Sequence, residues 1–346
     1  MSTNKVRSIP SYLPVGGYKV WNHPSNDLII PKRTEIKRTI KDEPLTEEET
    51  SISNDHSVNL SNPYLRSLEV DRLPHLGIIK EGNNLERKFG GIKFVCTGES
   101  VKRMERAAYL MKKQLNLDGP VELIDSDRDR FSIYKIGPIL CVNHGIGVPS
   151  LTVLLNEIFK LLAYAKCEDV VIFRLGTCGS IGKPIGSIIL TNKAVDDRQR
   201  PIFEQVVLGR VVALDAKIDH ELVQELKMIG DSELSDYNIS VGTTMATNDF
   251  YEGQGRITGA FCEHTSAERN RHLLALKKSG IISIEMEANA FHALCSKARI
   301  RAATIDVVTS DRLQGDMIND DTDNKCAMVE LRPAVLAAKY IQKYLH

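Results

Sequence analysis

The chain has 346 residues and carries 45 lysines and arginines against 45 aspartates and glutamates, with 42% hydrophobic residues. This balanced charge argues against a dedicated nucleic-acid or membrane-surface binder, and no apolar run approaches the roughly 20 residues that a membrane span needs. The seven cysteines form no CxxC pair and the N-terminus lacks an apolar signal-peptide core, so the sequence predicts reduced thiols in a cytoplasmic protein.

The first sixty residues differ in composition from the rest of the chain. They hold five of the 13 prolines, and a basic stretch runs into an acidic one within residues 32–49. Neither helical nor strand periodicity persists there. We therefore predict a disordered extension over residues 1–60 and one folded domain over residues 61–346. Trp21 and the apolar run 28–30 leave open a short docking motif inside this extension.

From about residue 62 the pattern changes to alternating strands and helices. Apolar runs bounded by turns predict strands, in chain order, at 92–96, 131–134, 139–142, 169–173, 187–190, 239–243, 281–284 and 301–308. Apolar residues at helical spacing predict helices at 104–115, 149–162, 220–228, 269–278, 288–296 and 334–344. Run 169–173 is nearly all apolar, which is typical of a strand covered on both faces. The alternation predicts one α/β domain with a mixed or parallel sheet.

Glycine-rich turns follow several of the predicted strands, at Gly98, at 144–147 and at 176–179. In open α/β sheets ligands bind at the carboxyl ends of strands, so these turns predict where a site lies. None fits a dinucleotide fingerprint or a phosphate-binding P-loop. Taken singly, each glycine is also explained by turn chemistry alone.

Arg174 ends an apolar strand, where a guanidinium is costly to bury unless it meets an anion. A structural salt bridge and a bound phosphate explain that anion equally well. Arg103 and Arg130 also lie at the ends of elements, and three such arginines can converge on phosphate through bidentate contacts. Surface positions are the simpler interpretation of Arg103 and Arg130.

The loop 248–256 has the most unusual composition, with Gln254 between two glycines and Arg256 close behind. A glutamine and an arginine at this spacing can match the donor and acceptor edge of a planar amide such as a pyrimidine. A solvent loop is the alternative interpretation.

Glu285 and Glu287 flank Met286 directly after an apolar strand. This arrangement can hold a diol beneath an apolar platform, or it can place negative charge at a helix N-terminus. His144 is interpreted as a satisfied core histidine without a catalytic role. No metal site is predicted, because no histidine lies at ligand spacing.

Taken together, these segments resemble the uridine phosphorylases of the nucleoside phosphorylase-I family. The matching segments are collinear and lie at 94–104, 134–138, 144–147, 174–177, 203–209, 249–256, 284–287 and 312–316. The motif DFYEGQGR at 249–256 together with IEME at 284–287 is the most specific part. The similarity runs from about residue 60 to the C-terminus.

The resemblance implies a single three-layer α/β/α domain with a central mixed sheet. It also implies reversible phosphorolysis of uridine, with deoxyuridine as a further candidate substrate, to uracil and (deoxy)ribose 1-phosphate. The implied partners are uridine, inorganic phosphate as co-substrate and a second copy of the chain in a homodimer with shared active sites. No cofactor, nucleic acid or membrane is implied.

The resemblance also assigns roles to residues that match the family's motifs. Arg256 and Gln254 are the implied catalytic residues. The implied ligand contacts are phosphate at Arg103, Arg174 and Thr177, with Arg130 from the neighbouring subunit; uracil at Phe250, Gln254 and Arg256; and ribose at Met286, Glu287 and His75, the last across the dimer interface.

Two departures from the family pattern leave alternatives open. Glu99 stands where the family usually has glycine, and two like charges ~4 Å apart repel by roughly 4 kcal/mol at an effective dielectric of about 20. Thr309, Ser310 and Asp311 replace an apolar pair and an asparagine, and the Ser–Asp pair resembles purine nucleoside phosphorylases. The alternatives are an impaired nucleoside-binding paralogue with Glu99 in the phosphate site, and a phosphorylase whose base choice is altered through Asp311.

Overall fold

The computed structural model describes residues 57–65, 68–124, 130–316 and 328–345. The predicted extension over residues 1–60 lies outside these ranges except for its last four residues. Those four pack against the domain, since Ser57 forms a β-bridge with Glu168 and Val58 is buried in the core.

The strands of the described chain form one large sheet and two hairpins. The large sheet contains β3 (Phe94–Gly98), β4 (Glu122–Ile124), β5 (Ile133–Ile136), β6 (Ile139–Asn143), β7 (Val171–Ser180), β8 (Ile188–Val195), β11 (Ile239–Ala246), β12 (Ile281–Glu285) and β13 (Arg301–Asp311). The hairpins are β1 (Val70–Leu73) with β2 (Ile78–Glu81), and β9 (Ile202–Val207) with β10 (Arg210–Asp215).

The sheet order is β12-β11-β8-β13-β7-β3-β6-β5-β4. The neighbours β12–β11, β11–β8, β13–β7, β7–β3 and β3–β6 are parallel, whereas β8–β13, β6–β5 and β5–β4 are antiparallel. The predicted mixed sheet is therefore confirmed. β7 also pairs with β12, so that β7, β13, β8, β11 and β12 close into a ring.

Helices cover both faces of this sheet. They are α1 (Asn84–Phe89), α2 (Val101–Gln114), α3 (Val148–Tyr164), α4 (His220–Glu233), α5 (Ser266–Lys278), α6 (Ala288–Lys297) and α7 (Arg332–Tyr344). Apolar residues of α1, α3 and α6 form one core with one face of the sheet, and those of α2, α4 and α7 form a second core with the other face. This arrangement confirms the expected three-layer α/β/α architecture.

Local sequence signals explain where several helices begin. Ser100 caps α2 by accepting the backbone N–H of Arg103, and Thr265 with Glu268 forms a capping box on α5. Pro149 lies in the first turn of α3, where its missing N–H has no helical partner to lose. α2 therefore begins directly after β3, and α3 begins shortly after β6.

The turn predicted at 176–179 is wrong, because these residues continue β7. Gly176 is needed for space: a Cβ there would lie 2.3 Å from Asp306 Oδ1 and 2.8 Å from Arg174 Nη1. By contrast, the turn predicted at 144–147 is confirmed, with Gly145 and Gly147 at φ values of 71° and 86°. The strand predicted at 131–134 begins two residues later, and both hairpins escaped the sequence analysis.

Candidate active site

A cavity of about 480 Å³ opens where β3, β7 and β12 end. Most residues that the sequence proposed for ligand binding line this cavity, namely Arg103, Thr177, Phe250, Gln254, Arg256, Met286 and Glu287. Other lining residues had no role in the sequence analysis, among them Ile146, Cys178 and Glu330. The carboxyl ends of the strands thus hold a site, as the sheet topology predicts.

One part of the cavity, which we call the base end, is formed by Phe250, Gln254 and Arg256. The Arg256 guanidinium lies over the Phe250 ring, 4.0 Å from its centroid. Gln254 is buried, and its side-chain oxygen accepts a hydrogen bond of 3.3 Å from Arg312 Nη1. Arg312 Nη2 also donates to the Gln254 backbone carbonyl over 2.9 Å. Arg312 therefore fixes both the main chain and the amide of Gln254.

The base end is organised by a single carboxylate, that of Asp316. Its Oδ1 accepts from Arg269 at 2.9 Å and from Arg312 at 3.2 Å, and its Oδ2 accepts the Ile257 N–H at 2.8 Å. Its backbone carbonyl accepts from Arg256 Nη1 at 2.8 Å. Burial and the neighbouring charge of Arg256 lower the pKa of Arg312 to about 10. The base end is thus rich in positive charge.

Met286 and Glu287 follow β12 and line the middle of the cavity. Glu287 is buried; its Oε1 accepts the Gly147 N–H at 2.6 Å and its Oε2 contacts Arg174 Nη2. Burial raises the pKa of Glu287 to about 7, and the charges of Glu285 and Glu99 add to the effect against that of Arg174. Glu285 instead accepts the N–H groups of Glu287 and Ala288 at the start of α6. Glu285 therefore places negative charge at a helix N-terminus, which was the alternative interpretation of this motif.

Arg174 is fully buried and ion-paired within its own chain. Its guanidinium contacts Glu287, lies 3.0 Å from Glu285 and 3.1 Å from Asp306, and is 3.6 Å from Glu99. These carboxylates raise its pKa above the ordinary value although burial opposes the charge. The anion that a buried arginine requires is therefore supplied by the protein itself.

Another part of the cavity, which we call the anion end, is lined by Glu99, Arg103 and Thr177, and the fully buried Arg174 lies beside Glu99. The Glu99 carboxylate contacts Arg103 Nη1 through one oxygen, and its other oxygen accepts the Thr177 N–H at 3.4 Å. Burial alone would raise the pKa of Glu99, but Arg103 and Arg174 outweigh it and hold the pKa below its ordinary value. Arg103 also lies 3.5 Å from Glu330.

Arg130, His75 and Asp311 were singled out in the sequence and do not line this cavity, and neither does the fully buried Arg174. Arg130 is exposed, and His75 pairs through Nδ1 with Glu157 Oε1 at 2.6 Å. Asp311 accepts the N–H groups of Gly182 and Leu313, both at 3.1 Å, and so stabilises a turn. Asp311 therefore belongs to this turn and is not one of the residues that line the cavity.

Comparison with known proteins places the chain. Residues 93–342 match the phosphorylase superfamily. The chain belongs to this superfamily. It is 40% identical over 297 residues to mouse uridine phosphorylase 1, an alignment that covers 84% of this chain and 94% of the relative.

Two proteins of Schistosoma mansoni extend the comparison. A crystal structure of uridine phosphorylase in complex with thymidine has a TM-score of 0.79 at 35% identity, covering 83% of this chain and 98% of that one. Inactive uridine phosphorylase B is 35% identical over 282 residues, covering 82% of this chain and 95% of the relative. The family of this chain thus includes a member named as inactive.

His144 differs from the satisfied core histidine that the sequence predicted. It is fully buried, yet neither ring nitrogen has a hydrogen-bond partner among the described residues. Burial and the charge of Arg174 lower its pKa to about 3, so this phosphorylase keeps His144 neutral.

Several residues of the site gave no clear signal in the sequence. Asp306 lies inside a strand that reads as apolar, and Arg269 lies on a helix with a polar composition. Arg312 and Asp316 fell in a matched segment but received no role. Only the packing of α5 against the end of β13 shows that Arg269, Arg312 and Asp316 support the base end.

No group of histidine, cysteine, aspartate or glutamate side chains in the described part of the phosphorylase has an arrangement that could hold a metal ion. No helix in that part combines the length and the apolarity needed to cross a bilayer.

Proposed function

We propose that the chain catalyses reversible phosphorolysis of uridine to uracil and ribose 1-phosphate, with deoxyuridine as a second substrate. The observation that carries this proposal is one cavity lined by an amide-reading pair, a methionine and glutamate suited to a sugar, and an arginine, Arg103, suited to an anion. Uridine phosphorylases that are 40% identical over most of the chain support the same reaction.

The base end suits a leaving uracil. Phe250 offers a ring face, and the Gln254 oxygen held by Arg312 turns the Gln254 amide nitrogen towards other acceptors. As the glycosidic bond breaks, its electron pair moves onto uracil, which later takes up a proton. The fixed charge of Arg256 stabilises the negative charge on the carbonyl oxygens in that transition state.

The sugar and phosphate steps use the middle and the anion end. Glu287 accepts hydrogen bonds from ribose hydroxyls, while Met286 packs against the sugar. A phosphate oxygen bonds to C1′ on the face opposite uracil, so catalysis rests on positioning and electrostatics without a covalent enzyme intermediate. Phosphate is the co-substrate, and the proposal includes neither a metal nor an organic cofactor.

A homodimer with shared active sites is part of the proposal. His75 and Arg130 lie outside the cavity of their own chain, so they reach a site only if a second copy brings them there. The β9–β10 hairpin exposes Val206, Leu208 and Val211, an apolar surface that a second copy can cover. Light scattering on the wild type and Leu208→Asn, which suits the positive φ of this residue, tests the dimer.

We also assign the reaction to the cytoplasm. All six cysteines that the structure describes are unpaired, which suits a reducing compartment.

The test of the reaction is uracil release from uridine with and without phosphate. Phosphate-dependent release with formation of ribose 1-phosphate supports phosphorolysis. Inosine in place of uridine tests the altered base choice, which we do not favour because Asp311 stabilises a turn. Binding of uridine without turnover at any phosphate concentration would favour the impaired paralogue, which the contacts of Glu99 keep as the second candidate.

A further inference from the structure

Glu99 occupies the donor set that an oxyanion would use. One carboxylate oxygen contacts Arg103 Nη1; the other lies 3.6 Å from Arg174 Nη2 and 3.4 Å from the Thr177 backbone nitrogen. Two guanidiniums and a backbone N–H are the groups that bind phosphate oxygens through charge-assisted hydrogen bonds. All three already contact or face the same carboxylate.

The chain position of Glu99 explains why it reaches these donors. It follows the last residue of β3 and precedes Ser100, the N-cap of α2, so its side chain starts at the point where Arg103 enters the cavity. β3 lies beside β7, whose backbone carries Arg174 and Thr177. Adjacent parallel strands therefore bring the carboxylate and its three donors together.

A phosphate ion and the Glu99 carboxylate exclude one another at this place. They need the same donors, and two anions in contact repel strongly in a partly buried site. The surroundings add to this repulsion, since Glu287 and Glu285 also face Arg174 and Glu330 faces Arg103.

The Glu99 side chain is partly exposed and can move out of the site into solvent. It is 16% exposed, whereas Arg174 is fully buried. If Glu99 moves into solvent, Arg174 keeps Glu285, Glu287 and Asp306 as partners, so its charge stays neutralised. Arg103 and the Thr177 N–H would then be released to a ligand.

We propose that Glu99 is an intramolecular competitor of the phosphate co-substrate and sets the phosphate concentration at which the enzyme turns over. This inference rests on the proposed phosphorolysis. Because the competition affects only the binding of phosphate, removing the carboxylate lowers the KM for phosphate and leaves kcat and the KM for uridine nearly unchanged.

The experiment uses the full-length chain and titrates phosphate at saturating uridine. It compares the wild type with Glu99→Gly, which removes the side chain, and Glu99→Gln, which removes only the charge. Glu105→Gln is the matched control, because Glu105 is an exposed glutamate on α2. We expect a phosphate KM at least ~10-fold lower in both Glu99 variants, a typical size for coupled binding, and no change in the control.

A second readout does not require turnover. Inorganic phosphate alone is titrated against each variant while the melting temperature is followed. We expect the same phosphate-induced rise in melting temperature at a phosphate concentration at least ~10-fold lower for Glu99→Gly than for the wild type.

The outcomes separate this inference from the proposed function. Equal phosphate dependence of the wild type and both Glu99 variants overturns the inference and leaves the proposed phosphorolysis standing. Wild-type uracil release that needs no phosphate overturns the proposed phosphorolysis, and the inference with it. If no variant releases uracil at any phosphate concentration, the proposed function fails, and the melting experiment alone decides whether Glu99 competes with phosphate.

Discussion

At the base end, the guanidiniums of Arg269 and Arg312 share the carboxylate of Asp316, and Arg256 donates to the backbone carbonyl of Asp316. At the anion end carboxylates outnumber guanidiniums, because Arg103 and Arg174 face a larger number of carboxylates. Those carboxylates are Glu99, Glu285, Glu287, Asp306 and Glu330.

Burial therefore shifts the pKa of a cation at one end and of a carboxylate beside the other. Burial and a neighbouring cation lower the pKa of Arg312 to about 10 at the base end, whereas burial raises the pKa of Glu287 to about 7 beside the anion end. The base end has positive charge available for a leaving uracil. The anion end satisfies its arginines internally, so an incoming anion must replace one of the protein's own carboxylates. Residue type alone does not show whether an arginine is available to a ligand.

The largest effect is expected for Arg174→Gln. The substitution leaves Glu285, Glu287 and Asp306 without their shared cation, and breaking a buried ion pair costs about 3–5 kcal/mol. Chemical denaturation should show a loss of that size in the free energy of unfolding.

Arg301→Gln is the matched control for Arg174. Arg301 also lies on a strand and pairs with two carboxylates, Asp219 and Glu225, but its side chain is 42% exposed. We expect a loss below about 1 kcal/mol. Equal losses in the two variants would mean that Arg174 is not the electrostatic centre of the anion end.

Arg256→Ala tests the base end and should affect turnover rather than folding. Loss of a charge that stabilises the transition state lowers kcat by roughly 10²–10³-fold. The free energy of unfolding should fall by only about 1–2 kcal/mol, because one hydrogen bond to the Asp316 carbonyl is lost.

Arg271→Ala serves as the control for Arg256, since Arg271 is exposed on α5. It should change neither uracil formation nor stability. If Arg256→Ala reduced turnover only in proportion to the unfolded fraction, that result would contradict a catalytic role for Arg256.

Glu287→Gln tests the pH dependence that burial creates. Since the pKa of Glu287 is raised to about 7 in the folded protein, the folded state keeps a proton that the unfolded state releases above its ordinary carboxylate pKa. Stability of the wild type should therefore fall as pH rises from about 4.5 to 7, by up to about 1.4 kcal/mol per unit from this group.

The glutamine variant lacks this titration, so its stability relative to the wild type should increase over the same pH interval. Denaturant unfolding at pH 5, 6 and 7 measures the difference. A constant difference across these pH values would contradict the raised pKa.

The smallest effect is expected on deleting residues 1–55. The lining residues that the structure describes lie at position 99 or beyond, so we expect neither end of the cavity to lose a group. The melting temperature should change by less than about 2 °C, and uracil release should stay the same. A change of the phosphate KM would mean that a residue of the extension contributes to one end of the cavity.

Much of the fold was predictable because the signals were local. The apolar runs that became β3, β6 and β12 and the helical spacing of α3 and α6 mark elements buried by the sheet, and the structure contains them. The turn predicted at 176–179 was wrong because its glycines permit close packing inside a strand, Gly176 against Asp306 and Gly179 against Arg312. The hairpin β9–β10 was not predicted because it buries only one residue, Phe203, and so has no regular alternation of buried and exposed positions.

The sequence by itself determined the α/β class, the family and most of the ligand-binding candidates that line the cavity, because periodicity and the motifs at 249–256 and 284–287 involve residues that are close together in the chain. Only the tertiary structure decided how the charges pair. Arg174 meets Asp306, 132 positions away, and Thr177 meets Glu99, 78 positions away. Such pairs depend on which strands become neighbours, and strand order is a property of the whole folded chain.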